Sequence, residues 1–251
     1  MALSLKSTND KEPLVCVSFP KSGRTWVRFA MQVAGADMAF THAGYGTLGV
    51  GEIGKPFKRR YPEHFGRRNI FLYRNPLDVA VSMFHQVHQR NFSPDSKKYD
   101  KMHERLDRLD RMPPEDIDSF VLHPVWGCGN IAAYNRSHLR YFSWPRKALK
   151  VRYEDLRAEP QTHFARMLDF AGVKDYDIDR IVNESNFDNM RKIELDADDE
   201  KRREHNLYGL KDENPDSLKV RKGKVQGYRA VLKAETIEQA NRICARFGFE
   251  I

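Results

Sequence analysis

Residues 14–26 read LVCVSFPKSGRTW, an apolar run followed by a short polar loop. The apolar residues 14–19 include β-branched Val15 and Val17, and an apolar run without polar interruption is typical of a strand covered on both faces. Beyond the loop, large apolar side chains recur at helical spacing over residues 25–34. The stretch predicts a strand, a tight loop and a helix, in that order.

The same order of elements occurs twice more along the chain. An apolar strand is predicted at 69–73, and Pro76 opens the helix that follows it. Another strand is predicted at 148–153 with a helix at about 160–170, and an amphipathic helix at 235–247 closes the chain. Strands that alternate with helices indicate a parallel α/β sheet, and their apolar character indicates helices on both faces, which makes three layers.

Length and composition fit one globular domain. The chain has 251 residues, 40% of them hydrophobic, and shows no internal repeat, so we expect a single domain over 1–251 with a flexible N-terminal arm at about 1–12. This apolar content excludes a disordered protein. No window approaches the ~20 apolar residues of a membrane span. The three cysteines lack CxxC spacing and a disulfide framework, which predicts a soluble protein of the reducing cytoplasm.

The net charge of +8 at pH 7 predicts an anionic partner. Charge alone does not separate nucleic acid, a membrane surface and a small polyanionic ligand. The basic residues gather at predicted strand ends and not along one extended face with interleaved aromatic side chains. This placement argues against a nucleic acid or a membrane as the partner.

The loop at the carboxyl end of the first strand is where open α/β sheets bind ligands. Gly23 permits a tight turn, and the first-turn amides up to Thr25 are free donors. Ser22 adds a hydroxyl and Lys21 a mobile positive charge, so phosphate is the ligand that these groups favour. The alternative is an ordinary basic loop. The GxxxxGK[ST] pattern of P-loop enzymes, in which Ser or Thr holds magnesium, is missing, which weakens a kinase interpretation.

Two further basic groups follow predicted strands or lie near the C-terminus. Arg74 ends the second predicted strand and Ser82 lies two turns into the next helix, so they meet one anion only if a loop folds back over that helix. A surface arginine and a buried serine are the alternative. Residues 219–229 carry five basic side chains and no acidic one, and Gly223 and Gly227 give the flexibility of a loop that closes over an anion. A solvated charged face is the alternative there.

Four motifs, taken in their order along the chain, resemble those of a known enzyme family. They are KSGRTW at 21–26, the spacing of Arg74 and Ser82, YEDL at 153–156 and RKG at 221–223. Together they resemble the signature of the sulfotransferases that use 3′-phosphoadenosine 5′-phosphosulfate (PAPS) and release the nucleotide PAP. The resemblance implies a P-loop-NTPase-like sulfotransferase architecture. It also implies transfer of a sulfuryl group to a hydroxyl of a small-molecule acceptor, with an amine as the less favoured acceptor.

The resemblance further implies which residues contact the nucleotide. Lys21 would stabilise charge on the leaving oxygen, Trp26 would stack on the adenine, and Arg74 would hold the 3′-phosphate. The implied contacts are Lys21, Ser22, Gly23, Arg24, Thr25, Trp26, Arg74, Ser82, Tyr153, Ser185, Phe187, Arg221, Lys222 and Gly223. No metal is implied, because helix-terminal amides, Lys21 and the arginines would neutralise the leaving phosphate.

The catalytic base of this family is a histidine that follows the family's second strand and precedes the arginine motif, and His42, after Phe40 and Thr41, stands at that place. A neutral imidazole takes the proton from the acceptor hydroxyl as its oxygen attacks sulfur in line. Two positions depart from the family's pattern: Phe40 replaces a common lysine, and Arg24 replaces a common threonine. These departures bear on the acceptor more than on the reaction.

Several features stay open. His85 and His88 line an acceptor pocket or take part in packing, and Trp126 lines that pocket or belongs to the core. Residues 49–54 satisfy GxGxxG, but no apolar strand precedes them, so we interpret them as a flexible loop. A P-loop-like kinase and a nucleic-acid-binding protein are the alternative functions. Acceptor identity and oligomeric state have no readable pattern.

Overall fold

The computed structural model describes residues 14–42, 68–88, 104, 106–107, 111–143, 148–196, 198, 200, 207 and 223–250. The N-terminal arm predicted at about 1–12, the glycine-rich residues 49–54, Arg221 and Lys222 lie outside the described residues. The single-domain organisation over 1–251 stays a prediction.

Four parallel strands form the sheet. They are β1 (Leu14–Ser18), β2 (Met38–Thr41), β3 (Asn69–Tyr73) and β4 (Ala148–Arg152). Their order is β2-β1-β3-β4, and the register pairs Val17 of β1 with Thr41 on one side and Phe71 on the other. The predicted parallel sheet is confirmed. The predicted third strand is one residue too long, because Tyr153 begins a helix whose first turn holds two acidic side chains, which the helix dipole favours there.

The helices with bounds in the described chain are α1 (Arg24–Val33), α2 (Pro76–Gln86), α3 (Ile117–Leu122), α4 (Cys128–Tyr141), α5 (Tyr153–Ala158), α6 (Pro160–Ala171), α7 (Ile178–Glu184), α8 (Phe187–Asp196) and α9 (Ala234–Ala245), with a 3-10 turn at Gly227–Ala230 before α9. The four predicted helices, α1, α2, α6 and α9, begin within one residue of the predicted positions, and the others were not predicted. In α2, the Asn75 side chain accepts hydrogen bonds from the Leu77 and Asp78 amides, and Pro76 follows at the first helical position.

Helices cover both faces of the sheet. Val15 and Val17 of β1 point into a core built with α2, α4 and α9. Cys16 between them points into a second core built with α1, α6 and α7. Because successive strand residues face opposite sides, both cores require apolar side chains, which explains the unbroken apolar run at 14–17. The predicted three-layer arrangement is confirmed.

The strand order places a crevice between β1 and β3. From β1 the chain passes to β2 on one side and then returns to β3 on the other side. Ligands bind open α/β sheets at such a switch point, outside the carboxyl ends of the strands. The loop after β1 and Arg74 after β3 therefore lie beside the same crevice. Among the described residues, no helix is both long and apolar enough to cross a membrane.

Candidate functional site

The loop between β1 and α1 (residues 19–23, hereafter the β1–α1 loop) is a tight turn. The Ser22 amide donates to the Phe19 carbonyl at 3.4 Å. Two residues adopt left-handed backbone conformations, Lys21 with φ 66° and Gly23 with φ 98°. Gly23 is required here for a second reason, because a Cβ would lie 2.6 Å from Cε2 of Tyr153. The loop is thus packed directly against the Tyr153 ring.

The start of α1 is suited to an anion. Its first turn contains no acidic side chain, and Gly23, the N-cap residue, offers no side-chain cap for the helix amides. The Ser22 side chain is buried, and among the described residues its Oγ has no hydrogen-bond partner. Free first-turn amides and the positive end of the helix dipole attract negative charge.

Arg74 connects three parts of the chain. Its Nη1 donates to the Lys21 carbonyl at 3.4 Å, and its Nη2 donates to the Lys224 carbonyl at 2.8 Å. Its guanidinium lies 4.4 Å from the centre of the Tyr153 ring. The side chain is largely buried, and within the described chain its Nε has no partner. Arg74 therefore joins the β1–α1 loop, the end of β3 and residues 223–230, hereafter the C-terminal segment.

Aromatic side chains form the other wall of the site. The Tyr153 hydroxyl donates to the Gly223 carbonyl at 3.2 Å, and its ring stands edge-on to Trp26 at 6.1 Å. A Cβ on Gly223 would lie 3.0 Å from Cδ2 of Phe187, so Phe187 also borders the C-terminal segment. Arg157 lies over the Trp26 ring at 5.3 Å.

Ser185 lies close in sequence to this aromatic wall, at the start of the segment that leads into α8. It is fully buried, and in the described part of the chain its Oγ lacks a partner. A buried hydroxyl without a partner carries a desolvation cost that a bound polar ligand relieves.

One face of α2 looks onto the site. Asp78, Ser82 and Gln86 are spaced four residues apart and so share this face. Lys21 Nζ donates to Gln86 Oε1 at 3.4 Å, and the Asp78 carboxylate accepts from the amides of the C-terminal segment. Ser82 lies between them and is half-buried. The segment that folds over α2 is thus the C-terminal one. Sequence reasoning missed Asp78 and Gln86, because their spacing from Ser82 places them on its face of the helix but does not show what they contact.

His42 follows β2 and lies beside the end of β1. Its Nδ1 donates to the Ser18 carbonyl at 2.7 Å, which leaves Nε2 as the acceptor nitrogen because a carbonyl only accepts. Burial, and next the positive charge of Arg24, lower the pKa of His42 from 6.5 to about 3. The imidazole is therefore neutral at physiological pH, in the tautomer that has a free lone pair on Nε2.

The residues that the sequence left open take part in packing. Trp126 is core, and its indole Nε1 donates to the Arg111 carbonyl at 3.0 Å. His88 Nε2 bonds to the Pro114 carbonyl at 3.0 Å, while its ring lies 4.5 Å from that of Phe84. His85 contacts the edge of the same Phe84 ring.

A cavity of about 400 Å³ opens near the end of β3. Its lining includes Arg136 and Arg140 of α4, Arg152, and the chain end at 248–250. Arg74 is the one predicted site residue in its lining, so this cavity is not the predicted nucleotide site. Among the described residues, no group of three or more His, Cys, Asp or Glu side chains could hold a metal ion.

Comparison with solved structures supports the fold. Mouse sulfotransferase SULT7A1 complexed with PAP aligns with a TM-score of 0.59 and 16% identity, over 94% of this chain and 83% of that one. Retinol dehydratase in complex with androsterone and inactive cofactor PAP aligns with a TM-score of 0.60 and 17% identity, over 94% of this chain and 80% of that one. These likenesses confirm the predicted P-loop-NTPase-like sulfotransferase fold.

Sequence comparison identifies the family. A flavonol sulfotransferase-like protein of Flaveria bidentis is 26% identical over 140 residues, which are 51% of this chain and 40% of that protein. The chain thus spans well under two thirds of this curated relative. The family model described as the sulfotransferase domain matches residues 67–247, from just before β3 to just after α9. This match covers most of the chain, which therefore belongs to the sulfotransferase domain family.

Proposed function

We propose that this chain transfers a sulfuryl group from PAPS to a hydroxyl of a small-molecule acceptor, with an amine as the less favoured acceptor. The observation that carries the proposal is the position of Arg74, which contacts the β1–α1 loop, Tyr153 and the C-terminal segment at once. Arg74 thus places a guanidinium group where three parts of the chain meet. PAP, bound by the solved relatives, has anionic groups at both its 5′ and 3′ ends.

The groups at the crevice fit the 5′-phosphosulfate of such a donor. The first turn of α1, which has no side-chain cap, and the Oγ of Ser22 would supply hydrogen-bond donors at the end of β1. Under this proposal, Ser22, Gly23, Arg24 and Thr25 bind the phosphosulfate mainly through backbone amides. Lys21, now 3.4 Å from Gln86, adds a mobile ammonium group.

The other walls of the site would bind the nucleoside and its 3′-phosphate. Arg74, with an unpartnered Nε, and Ser82 on the facing side of α2 would hold the 3′-phosphate. Gly223 stands at the point where Arg221 and Lys222 would join them. The adenine contacts proposed for the aromatic wall are Trp26, Tyr153, Ser185 and Phe187. Arg157 lies over one face of the Trp26 ring, so stacking of the adenine on that face requires Arg157 to move aside.

The reaction needs a base and a stabilised leaving group. PAPS supplies an activated sulfuryl group whose transfer leaves PAP. His42 Nε2 accepts the proton of the acceptor hydroxyl, since Nδ1 is already committed to the Ser18 carbonyl. Lys21 Nζ stabilises the negative charge that develops on the leaving phosphate oxygen.

The low pKa of His42 applies to the protein in the absence of bound PAPS. Arg24 is the largest charge contribution to that lowering. An anion bound beside Arg24 offsets its charge and favours the protonated imidazole, so donor binding raises the pKa of His42 and strengthens it as a base. The mechanism assigns no role to a metal ion. Placement in the cytoplasm stays a prediction.

A transfer assay tests the proposal. The chain is incubated with labelled PAPS and a panel of hydroxylated small molecules, with and without a chelator, and with ATP as the competing donor. We expect a labelled sulfate ester that forms equally well with the chelator, and no phosphoryl transfer from ATP. Preference for ATP, or sulfation that requires magnesium, would contradict the proposal. Tight polynucleotide binding that falls steeply with salt, without PAP binding, would favour a nucleic-acid-binding protein instead.

A further inference from the structure

Asp78 is a buried carboxylate that holds the C-terminal segment. Its Oδ2 accepts from the Gln226 amide at 2.9 Å, and its Oδ1 accepts from the Tyr228 amide at 3.3 Å. The side chain is 2% exposed. Both carboxylate oxygens therefore bond to a segment about 150 residues further along the chain. Since Asn75 already caps α2, helix capping does not account for this placement.

Asp78 also contacts Arg74. Asp78 Oδ2 lies 3.7 Å from Nη2 of Arg74, and that same Nη2 donates to the Lys224 carbonyl at 2.8 Å. Two connections thus run from the start of α2 to the C-terminal segment. One passes through Arg74 to Lys224, and the other passes directly from Asp78 to Gln226 and Tyr228.

The backbone of the C-terminal segment needs such support. Gln226 has φ 57° and Gly223 also has φ 57°, both in the left-handed region. For a residue with a side chain this conformation is unfavourable, and it persists where surrounding contacts fix it. The hydrogen bond between the Gln226 amide and Asp78 is such a contact.

We infer that Asp78 is a positioning residue that fixes Arg74 and the C-terminal segment in the arrangement that binds the 3′-phosphate of the donor. The inference rests on the function proposed above. It concerns the 3′-phosphate because Arg74 and Gly223 border that end of the proposed site. Asp78 itself does not contact the 3′-phosphate in this account, since an ionised carboxylate has no hydrogen to donate to an anion.

Removal of the carboxylate has two opposite effects on an anionic ligand. It removes a negative charge near the phosphate, which favours binding. It also replaces two charge-assisted hydrogen bonds by at most one neutral hydrogen bond, since asparagine has a single acceptor oxygen, and this disfavours binding. The neighbouring Arg74 already offsets the charge of Asp78 at 3.7 Å. We therefore expect the lost positioning to dominate, because charge-assisted hydrogen bonds are the stronger kind.

The test compares two nucleotides that differ in the 3′-phosphate. Calorimetry measures the dissociation constants of PAP and of adenosine 5′-phosphate for the wild type and for Asp78→Asn. We expect the constant for PAP to rise about tenfold, while that for adenosine 5′-phosphate changes less than about twofold. Equal weakening of both nucleotides, or unchanged or tighter PAP binding, would overturn the inference.

A matched control is available on α3. Asp118 accepts from the Lys233 amide at 3.0 Å, so Asp118→Asn removes the charge from a similar carboxylate-to-backbone contact just beyond the C-terminal segment. We expect this variant to bind both nucleotides as the wild type does. If the wild type itself does not bind PAP, the proposed function fails and this inference fails with it. If the wild type binds PAP and Asp78→Asn binds it equally well, the inference alone fails.

If Asp78→Asn does not fold, hydrogen exchange of the wild-type protein tests the inference instead. In the wild type, the Gln226 and Tyr228 amides should be protected, and PAP should increase their protection more than adenosine 5′-phosphate does. Exchange of these two amides at the rate of an unstructured peptide in the presence of PAP would overturn the inference.

Discussion

The Tyr153 ring occupies the space that any side chain at position 23 would need. A Cβ on Gly23 would lie 2.6 Å from Tyr153 Cε2, and Gly23 also has φ 98°. Tyr153 in turn contacts Arg74 and the Gly223 carbonyl. At Gly23 the β1–α1 loop therefore packs against Tyr153, which in turn contacts Arg74 and the C-terminal segment.

Gly23→Ala should lower both stability and PAP affinity. The left-handed backbone costs a residue with a Cβ about 1–2 kcal/mol, and the overlap with Tyr153 adds about 1–3 kcal/mol because the ring must move. We expect PAP affinity to fall about tenfold or more, measured by calorimetry, with a lower melting temperature.

Gly35→Ala is the matched control for this substitution. Gly35 also has a positive φ, 67°, but a Cβ there meets nothing within 4 Å. Gly35→Ala should lower stability only by the cost of the left-handed backbone and should leave PAP affinity unchanged. Equal effects of the two substitutions on PAP binding would show that the contact with Tyr153 has no influence on the site.

His42→Ala should abolish most turnover and spare donor binding. Loss of a general base typically lowers the rate about 10²- to 10⁴-fold. His42 bonds to the Ser18 carbonyl and to no group that the proposal places on the nucleotide. Steady-state kinetics should therefore show a reduced kcat, while calorimetry shows the dissociation constant of PAP within about twofold of wild type. A large loss of PAP affinity would move His42 from the role of base to that of a nucleotide contact.

The low pKa of His42 makes the folded chain sensitive to acid. In the folded chain the pKa is about 3, against 6.5 ordinarily, so between these values the unfolded chain binds a proton that the folded chain does not. Stability from this group is complete above about pH 6.5 and is lost as the pH falls toward 3. His42→Gln lacks this dependence. The free energy of unfolding should fall by about 1–2 kcal/mol more in the wild type than in His42→Gln between pH 7 and pH 5.

Urea unfolding at the two pH values measures this difference. Other titrating groups are common to both chains, so their contributions cancel in the comparison. Parallel pH dependence of the two chains would mean that His42 is not held neutral by the fold. The NMR titration of His42 is an independent check and should show a midpoint well below 6.5.

Local pattern was enough to predict β1, β3 and β4 and to single out the β1–α1 loop, whose binding of an anion stays a prediction. The apolar runs at β1 and β3 have one interpretation because each is buried on both faces, and Pro76 marks a helix start. By contrast, α4 buries polar Asn135 and His138, which hides its apolar stripe from sequence reasoning. Asp78 was missed for a related reason. Its partners are backbone amides of the C-terminal segment, and a contact with backbone leaves no trace in residue types.

Arg74→Lys should weaken PAP binding although it keeps the charge. The guanidinium of Arg74 donates in two directions, to the Lys21 and Lys224 carbonyls, while its face covers the Tyr153 ring. A lysine ammonium lacks the planar fork that makes these contacts together. We expect the dissociation constant of PAP to rise about 10- to 100-fold, a cost of about 1.4–2.8 kcal/mol, with a much smaller change for adenosine 5′-phosphate.

Arg136→Lys provides the comparison for Arg74→Lys. Arg136 is exposed on α4 and also donates to a carbonyl, that of Phe247, at 3.4 Å, but it lies outside the proposed site. The Arg136→Lys variant should bind PAP and adenosine 5′-phosphate as the wild type does. Equal PAP affinity of Arg74→Lys and Arg136→Lys would show that a positive charge alone suffices at position 74. The hydrogen bonds of the guanidinium to the β1–α1 loop and the C-terminal segment would then have no part in donor binding.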